Sequence, residues 1–294
     1  MNQKKYFYYP GCSLKGTGKS YEKSLLAVFK YLEMDIPELP DWNCCGATTY
    51  MSIDELASFK MAVRNLSIAE KEERDIIAPC SACYMVLNKT IHFIKEYPDI
   101  REKICEAVKK ANLKEVYEGK VKVRHPLDVL INDVGIEKIK SKVKRTLGGI
   151  RVFSYYGCLL TRPFTEFDNP RYPVNLDRIV EATGAETVES ALKTKCCGGS
   201  LSGTIEEVGF RLSYLILREA KRKGAHLIVT VCPLCQFNLE VYQDRMEKMF
   251  KDKLSIPVIY FTQLLGVAFG IDEKELGFNH HIIYPEILYQ KAAV

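Results

Sequence analysis

The chain carries its cysteines twice. Eleven cysteines stand in 294 residues, and ten of them fall into two sets of one form. The first is Cys12, the adjacent pair Cys44–Cys45, and Cys80 with Cys83; the second is Cys158, Cys196–Cys197, and Cys232 with Cys235. In both sets 34 residues separate the adjacent pair from the C-x2-C, while 31 and 37 separate the lone cysteine from the pair. The surrounding words recur as well: YYPGCSL against YYGCLL, NCCGAT against KCCGGS, IIAPCSAC against VTVCPLC. A stretch without cysteine, Val121–Gly135, aligns without gaps on Ile256–Gly270. It starts later after its C-x2-C, so about 17 residues near 99–116 form an insertion in the first copy. Self-similarity of this kind marks a repeat architecture. The expected fold is a tandem duplication of a cysteine-rich α/β domain with pseudo-two-fold symmetry, divided into residues 1–148 and 149–294 at Leu147-Gly148-Gly149. The length suits two domains.

Hydrophobic patterning places each motif at the end of a strand. Lys4–Tyr9 and Arg151–Tyr156 are β-rich runs leading into Gly-Cys, and Ile76–Ala78 and Leu227–Val231 are apolar runs ending at a C-x2-C. Between them, Ile53, Leu56, Phe59, Val63 and Leu66 keep helical spacing, as do Ile205, Val208, Leu212 and Leu215. Further helices are expected over 20–33, 84–97 and 236–249. Strands alternating with helices imply parallel β units, whose ligands sit beyond the strand C-termini.

Compartment narrows the chemistry. The N-terminus shows neither an apolar signal core nor a small-residue cleavage site, and no apolar stretch is long enough to span a bilayer. The formal charge of +5 is modest and supports no nucleic-acid footprint. The expected setting is a reducing, cytoplasmic one, where cysteine clusters bind metal or do redox work more often than they form disulfides. Adjacent cysteines have Cα atoms only 3.8 Å apart, shorter than a disulfide usually bridges. Structural zinc takes four ligands from paired knuckles, whereas each copy offers five thiols in another spacing. Iron–sulfur clusters use thiolates throughout, although the ferredoxin spacing is missing here. Gly46 and Gly198–Gly199, just after the pairs, are expected to let the backbone approach bound sulfide. The run KGTGKS resembles a phosphate loop but has Ser13 where the pattern requires glycine.

With PGCSL, LPDWNCCGA, APCSACY, YYGCLLTRP and CCGGSLSG in place over residues 5–270, the chain resembles the cysteine-rich (CCG-domain) proteins, in particular the B-subunit family of CoB–CoM heterodisulfide reductase. The resemblance implies two noncubane [4Fe–4S] clusters, one held by Cys12, Cys44, Cys45, Cys80 and Cys83, the other by Cys158, Cys196, Cys197, Cys232 and Cys235. It implies a disulfide substrate cleaved between the two, with electrons arriving through a small ferredoxin-like iron–sulfur partner from a flavin-bearing partner in the same complex. Ten thiolates and two such cores would shift the formal charge from +5 to about −1. Two other readings stay open: an electron-transfer component of a flavoprotein dehydrogenase complex, and a sulfur-oxidation relative acting on a lipoyl-bound thiol.

Beyond the thiols, Lys15, Lys19 and Arg162 follow the lone cysteines and are candidate partners for anionic groups of a substrate, or plain surface cations. His125 stands at a strand-to-helix junction where the second copy has Tyr260; it is a candidate proton donor or a packed junction residue. His226 and the pair His280–His281 are expected to be structural. Cys105, in the insertion, has no counterpart. Trp42 is expected to pack beside the first set and help keep it dry.

Overall fold

The short runs that lead into the cysteines are strands, and almost every one is followed by helix. The computed structural model describes residues 5–47, 49–110, 117–164 and 167–290. The first copy runs β1 (Tyr6–Tyr8), α1 (Gly11–Lys15), α2 (Lys19–Tyr31), α3 (Thr49–Ile53), α4 (Glu55–Lys71), β2 (Asp75–Ile77), α5 (Ser81–Glu96), α6 (Pro98–Lys110), β3 (Val123–Arg124), α7 (Pro126–Val129) and α8 (Ile136–Ser141). The second runs β4 (Arg151–Tyr155), α9 (Asn175–Ala182), β5 (Glu186–Thr187), α10 (Glu206–Arg222), β6 (Leu227–Thr230), α11 (Pro233–Glu240), α12 (Gln243–Phe250), β7 (Val258–Tyr260), α13 (Phe261–Phe269) and α14 (Glu273–Leu276). Both sheets are parallel, in the orders β1-β2-β3 and β5-β4-β6-β7. Glu38 makes a parallel bridge to Tyr8 where β5 pairs with β4, so the two sheets share one order. This is the duplicated α/β fold that the repeat predicts. The strands are short and, apart from the edge strand β5, almost wholly buried, as parallel strands covered on both faces must be.

Three helix readings need correction. In α4 the predicted stripe is right from Phe59 onward, with Phe59, Val63 and Leu66 buried. In α10 the helix is right and its face is wrong: Ile205, at its N-cap, Val208 and Leu215 are exposed, while Phe210, Tyr214, Leu217 and Ala220 point inward. The sequence carries two rival apolar stripes, and the aromatic one, which buries more area per residue, wins the core. The helix expected over 236–249 is broken between α11 and α12. The Gln243 side chain donates to the Leu239 carbonyl (2.8 Å), the acceptor that the backbone amide of residue 243 would otherwise use, and also donates to the Ile256 carbonyl (2.8 Å). The insertion in the first copy contributes α6; its residues 111–116 lie outside the described residues.

The two copies are interlocked. Along the contact of α2 with α13, Tyr21 stacks on Tyr260 (4.3 Å between centroids), Ser24 hydrogen-bonds Thr262 (2.6 Å), and Tyr31 stacks on Phe269 (5.0 Å). These aromatic pairs contribute roughly 0.5–1.5 kcal/mol each beyond the area they bury. The loops after the lone cysteines also cross over. Gly18 lies against Pro233 at the start of α11, and Phe164 packs on His92 of α5 (4.6 Å). One apolar core runs through both copies, and a second lies within the later one. Among the described residues no helix is long and apolar enough to cross a membrane.

Candidate functional site

Each C-x2-C occupies the first turn of a helix. Cys80 and Cys232 are the N-cap residues of α5 and α11 in extended conformation, and Cys83 and Cys235 lie one turn on. A helix N-terminus directs unpaired N–H groups and a partial positive charge at these sulfurs, which favours thiolate. The adjacent pairs approach from loops. Cys45 Sγ lies 3.2 Å from Cys83 Sγ, and Cys197 Sγ 3.5 Å from Cys235 Sγ, so the two sets repeat the same contact.

The two sets also meet. The carbonyls of Pro79 and Val231, which directly precede Cys80 and Cys232, lie 3.0 and 3.2 Å from a single nitrogen of His125. The thiols bear on one another's acidity within each set and, through Cys80 and Cys232, between them. Cys12 bears electrostatically on Cys44. This coupling pushes acidities apart: Cys45 and Cys232 are held well below the usual thiol range, Cys83 and Cys235 well above it. Cys196 is held at about 6, first by the hydrogen bond from Cys158, with the Gly198 amide and Arg162 adding to it. In each set the second cysteine of the pair and both C-x2-C cysteines are buried. The other two, Cys12 with Cys44 and Cys158 with Cys196, are exposed or partly so. Each set thus has a dry inner side and an open outer side. Among the described residues no three His, Cys, Asp or Glu side chains gather around one point as ligands of a single ion.

Several supports escape the sequence reading and appear in both copies. The Tyr9 hydroxyl donates to the Asn43 carbonyl (2.8 Å) and the Tyr155 hydroxyl to the Lys195 carbonyl (2.6 Å), each acceptor immediately preceding the adjacent pair. Gly11 and Gly157 hold φ of +58° and +71°, and a Cβ on either would stand 3.0 Å from the sulfur of Cys83 or Cys235. The glycines after the pairs also serve the packing. A Cβ on Gly46 would meet Ser58, and one on Gly198 would meet Gly209, so they admit the N-terminal turns of α4 and α10. The amides of Gly46 and Gly198 point at Cys44 and Cys196 (3.4 Å each). The one signal for the tyrosines and leading glycines is the repeated Tyr-x-Gly-Cys.

The other candidates separate. Lys15 sits between Glu22 (2.6 Å) and Glu38 (2.7 Å), so its charge is engaged within the fold. Lys19 is exposed in the first turn of α2. Arg162 stands beside Cys196 and donates to the Thr194 carbonyl (2.7 Å). Trp42 packs edge-on against Tyr9 (5.8 Å). His226 accepts from the Arg151 amide (3.1 Å), and His281 is buried against Glu240 (3.0 Å) and Gln263. Cys105, on α6, is in neither set.

His125 is wholly buried at the N-terminus of α7. Its Nδ1 accepts from the Leu127 amide (3.1 Å), so Nε2 carries the hydrogen, lying 3.0 Å from the Pro79 carbonyl and 3.2 Å from that of Val231. Those carbonyls directly precede Cys80 and Cys232, so the ring holds the crossing of the two sets together. Burial pushes its pKa down to about 4, leaving a neutral ring. Because the folded value lies below the ordinary 6.5, this group's share of stability is intact at neutral pH and is lost as pH falls from about 6.5 toward 4. Between pH 7 and 5 the loss attributable to His125 is expected to be about 2 kcal/mol. Chemical denaturation of wild type and His125→Gln at both pH values checks this: the variant should show a correspondingly flatter pH dependence.

A duplicated parallel α/β unit that brings two five-thiol sets to strand ends and joins the copies beside them through His125 defines a two-site cysteine-rich protein. The chain belongs to the cysteine-rich (CCG) domain family, which it matches over residues 6–88 and 152–240. It is 34% identical to the 8-methylmenaquinol:fumarate reductase membrane anchor subunit of Wolinella succinogenes, over 96% of this chain and 98% of that one. It is 33% identical to a protein of Archaeoglobus profundus described as like the B subunit of heterodisulfide reductase, over 93% of each. It is 30% identical to the B subunit of ferredoxin:CoB-CoM heterodisulfide reductase of Methanosarcina mazei, over 93% of this chain and 92% of that one. The crystal structure of a hypothetical protein from Helicobacter pylori shares the fold, with a TM-score of 0.76 at 14% identity over 96% of this chain; the chain spans about half (52%) of that protein.

Proposed function

We propose that this chain is an iron–sulfur subunit that reductively cleaves a disulfide, with Cys12, Cys44, Cys45, Cys80 and Cys83 holding one noncubane [4Fe–4S] cluster and Cys158, Cys196, Cys197, Cys232 and Cys235 the other. The observation that carries the reading is the meeting of the two sets at Cys80 and Cys232, whose preceding carbonyls, of Pro79 and Val231, lie 3.0 and 3.2 Å from one nitrogen of His125. Sites that share a wall can act on one small disulfide together. The donor chemistry fits: ten thiols with inner faces dry are soft ligands, and five in each set exceed the four that one tetrahedral ion takes. Such clusters, when bound, supply electrons singly, so one from each would meet the two-electron demand of a disulfide.

The chain's own residues do the rest. Cys12, Cys44, Cys158 and Cys196 lie on the open side, where a disulfide enters, while the C-x2-C helices close the inner side against water. Arg162 beside Cys196 meets an anionic substituent of the substrate. His125 fixes the spacing of the two sets and gives up no proton, since its N–H is held by carbonyls; the two protons that the product thiolates need arrive from the open side. Electrons come from two partners in a cytoplasmic complex, one a ferredoxin-like iron–sulfur protein and the other flavin-bearing. The outward apolar stripe of Ile205, Val208 and Leu215 suits such an assembly.

The fumarate reductase relative favours a second reading, in which the chain only conducts electrons within a flavoprotein complex. Anaerobic purification with iron and acid-labile sulfide counted per chain tests the cluster assignment: about eight of each is expected, and zinc without sulfide would overturn it. An EPR titration with a panel of disulfides then separates the two readings. A new signal that depends on substrate supports cleavage, and an unchanged spectrum with every disulfide supports the conductor.

A further inference from the structure

The interface between α2 and α13 pairs its hydroxyls with one exception. Ser24 donates to backbone carbonyls of its own helix and shares a hydrogen bond with Thr262 (2.6 Å). The Tyr260 hydroxyl donates to Gln236 Oε1 (3.4 Å), and the Tyr31 hydroxyl to the Lys142 carbonyl (3.3 Å). Tyr21, stacked face to face on Tyr260 and edge-on to Phe261, is fully buried, and its hydroxyl has no partner. A buried hydroxyl without a partner is costly and rare, and calls for a group that the protein atoms alone do not supply. The surroundings lead to the thiols: Phe261, beside Tyr21, is next to the His125 ring (6.3 Å between centroids), which sits on the carbonyls before Cys80 and Cys232, and Gly18 at the start of α2 lies against Pro233, the residue after Cys232. Cys80 and Cys232 are the two thiols at which the sets meet. A hydroxyl buried beside thiols suits a donor facing an electron-rich sulfur.

We infer that Tyr21 is a positioning residue of the paired site, whose hydroxyl donates a hydrogen bond to a sulfur of the group held at the Cys80–Cys232 crossing. The inference rests on the cluster assignment under Proposed function. Hydrogen bonds to cluster sulfurs stabilise the more negative, reduced state and raise the reduction potential. The first copy thus tunes the crossing through a side chain lent across the interface. In the second copy, α9 occupies the place of α2 and carries no tyrosine, so the two sets receive unequal support from otherwise similar surroundings.

The test uses Tyr21→Phe in the full chain, purified without oxygen, because it removes one oxygen and keeps the ring that stacks on Tyr260. Tyr31→Phe is the control, taking a hydroxyl from the same helix interface far from the thiols. Iron and sulfide are counted first, and an EPR-monitored redox titration follows. Tyr21→Phe should retain full iron and sulfide, while the reduction equilibrium of one cluster becomes about tenfold less favourable, a fall of about 59 mV for one electron; Tyr31→Phe should match wild type. A loaded Tyr21→Phe with wild-type potentials overturns the inference and indicates that the hydroxyl meets only a buried water. Equal shifts in both variants overturn it too, as a packing effect. Wild-type protein lacking iron and sulfide would instead overturn the cluster assignment itself, so the two failures are distinguishable.

Discussion

Replacing Cys197 by alanine is expected to remove about half of the iron and sulfide from the chain and to abolish disulfide cleavage completely. Cys197 is buried, lies 3.5 Å from Cys235, accepts from Asn238 and has its carbonyl held by Ser213 (2.7 Å), so its thiol is fixed within the second set alone, where the proposed assignment makes it a ligand. Its loss leaves four thiols there, one of them exposed, while the first set keeps all five. Cys45→Ala should mirror it, with the other half of the iron lost. If each site supplies one electron, either variant alone eliminates the reaction, and the effects do not add. Iron and sulfide analysis beside a disulfide-dependent assay with an artificial reductant checks this. A variant with half the iron and half the activity would show two independent sites instead, and would contradict the shared-wall reading.

That prediction draws on a feature the sequence does not expose. The cysteine spacing is enough to divide the chain into two copies, put parallel strands before each motif and name both thiol sets, because ligand spacing and strand pattern are local. Which sulfurs touch across copies is not local. The crossing of Cys80 with Cys232 depends on Tyr21, Ser24 and Tyr31 zipping α2 onto α13, and nothing in the first copy's own sequence signals a partner there. The same reason explains α10. Its apolar residues satisfy two helical stripes, and only the packing of Phe210 and Tyr214 against the second core decides between them. His125 is legible as a junction residue, but its bridge to the carbonyls of Pro79 and Val231 requires both copies in place. Lys15 illustrates the converse: sequence leaves it either a partner for an anionic ligand or a plain surface cation, and the fold brings Glu22 and Glu38 to it from 7 and 23 residues away.

Gly157→Ala is expected to damage the second site without touching a thiol. At φ of +71° an L-residue is strained by about 1–2 kcal/mol, and the added Cβ would stand 3.0 Å from Cys235 Sγ, with the Tyr155 ring at 3.9 Å behind it. The sulfur must move, yet Cys235 is tied to Cys197 and Cys232 and sits in the first turn of α11. The strain therefore passes into the neighbouring thiols of the set instead of being absorbed by a flexible side chain. Gly149→Ala separates the two costs: its φ is +77°, and nothing lies within 4 Å of the new Cβ. Both variants should lose similar backbone stability in chemical denaturation, with Gly157→Ala losing more. Only Gly157→Ala should release iron to a chelator faster than wild type. Gly11→Ala, with Cys83 Sγ at the same 3.0 Å, should repeat the effect in the first set. Equal iron retention in Gly157→Ala and Gly149→Ala would mean that the glycine before each lone cysteine serves only the turn; faster release from Gly157→Ala and Gly11→Ala alone means it is kept small to seat a ligand.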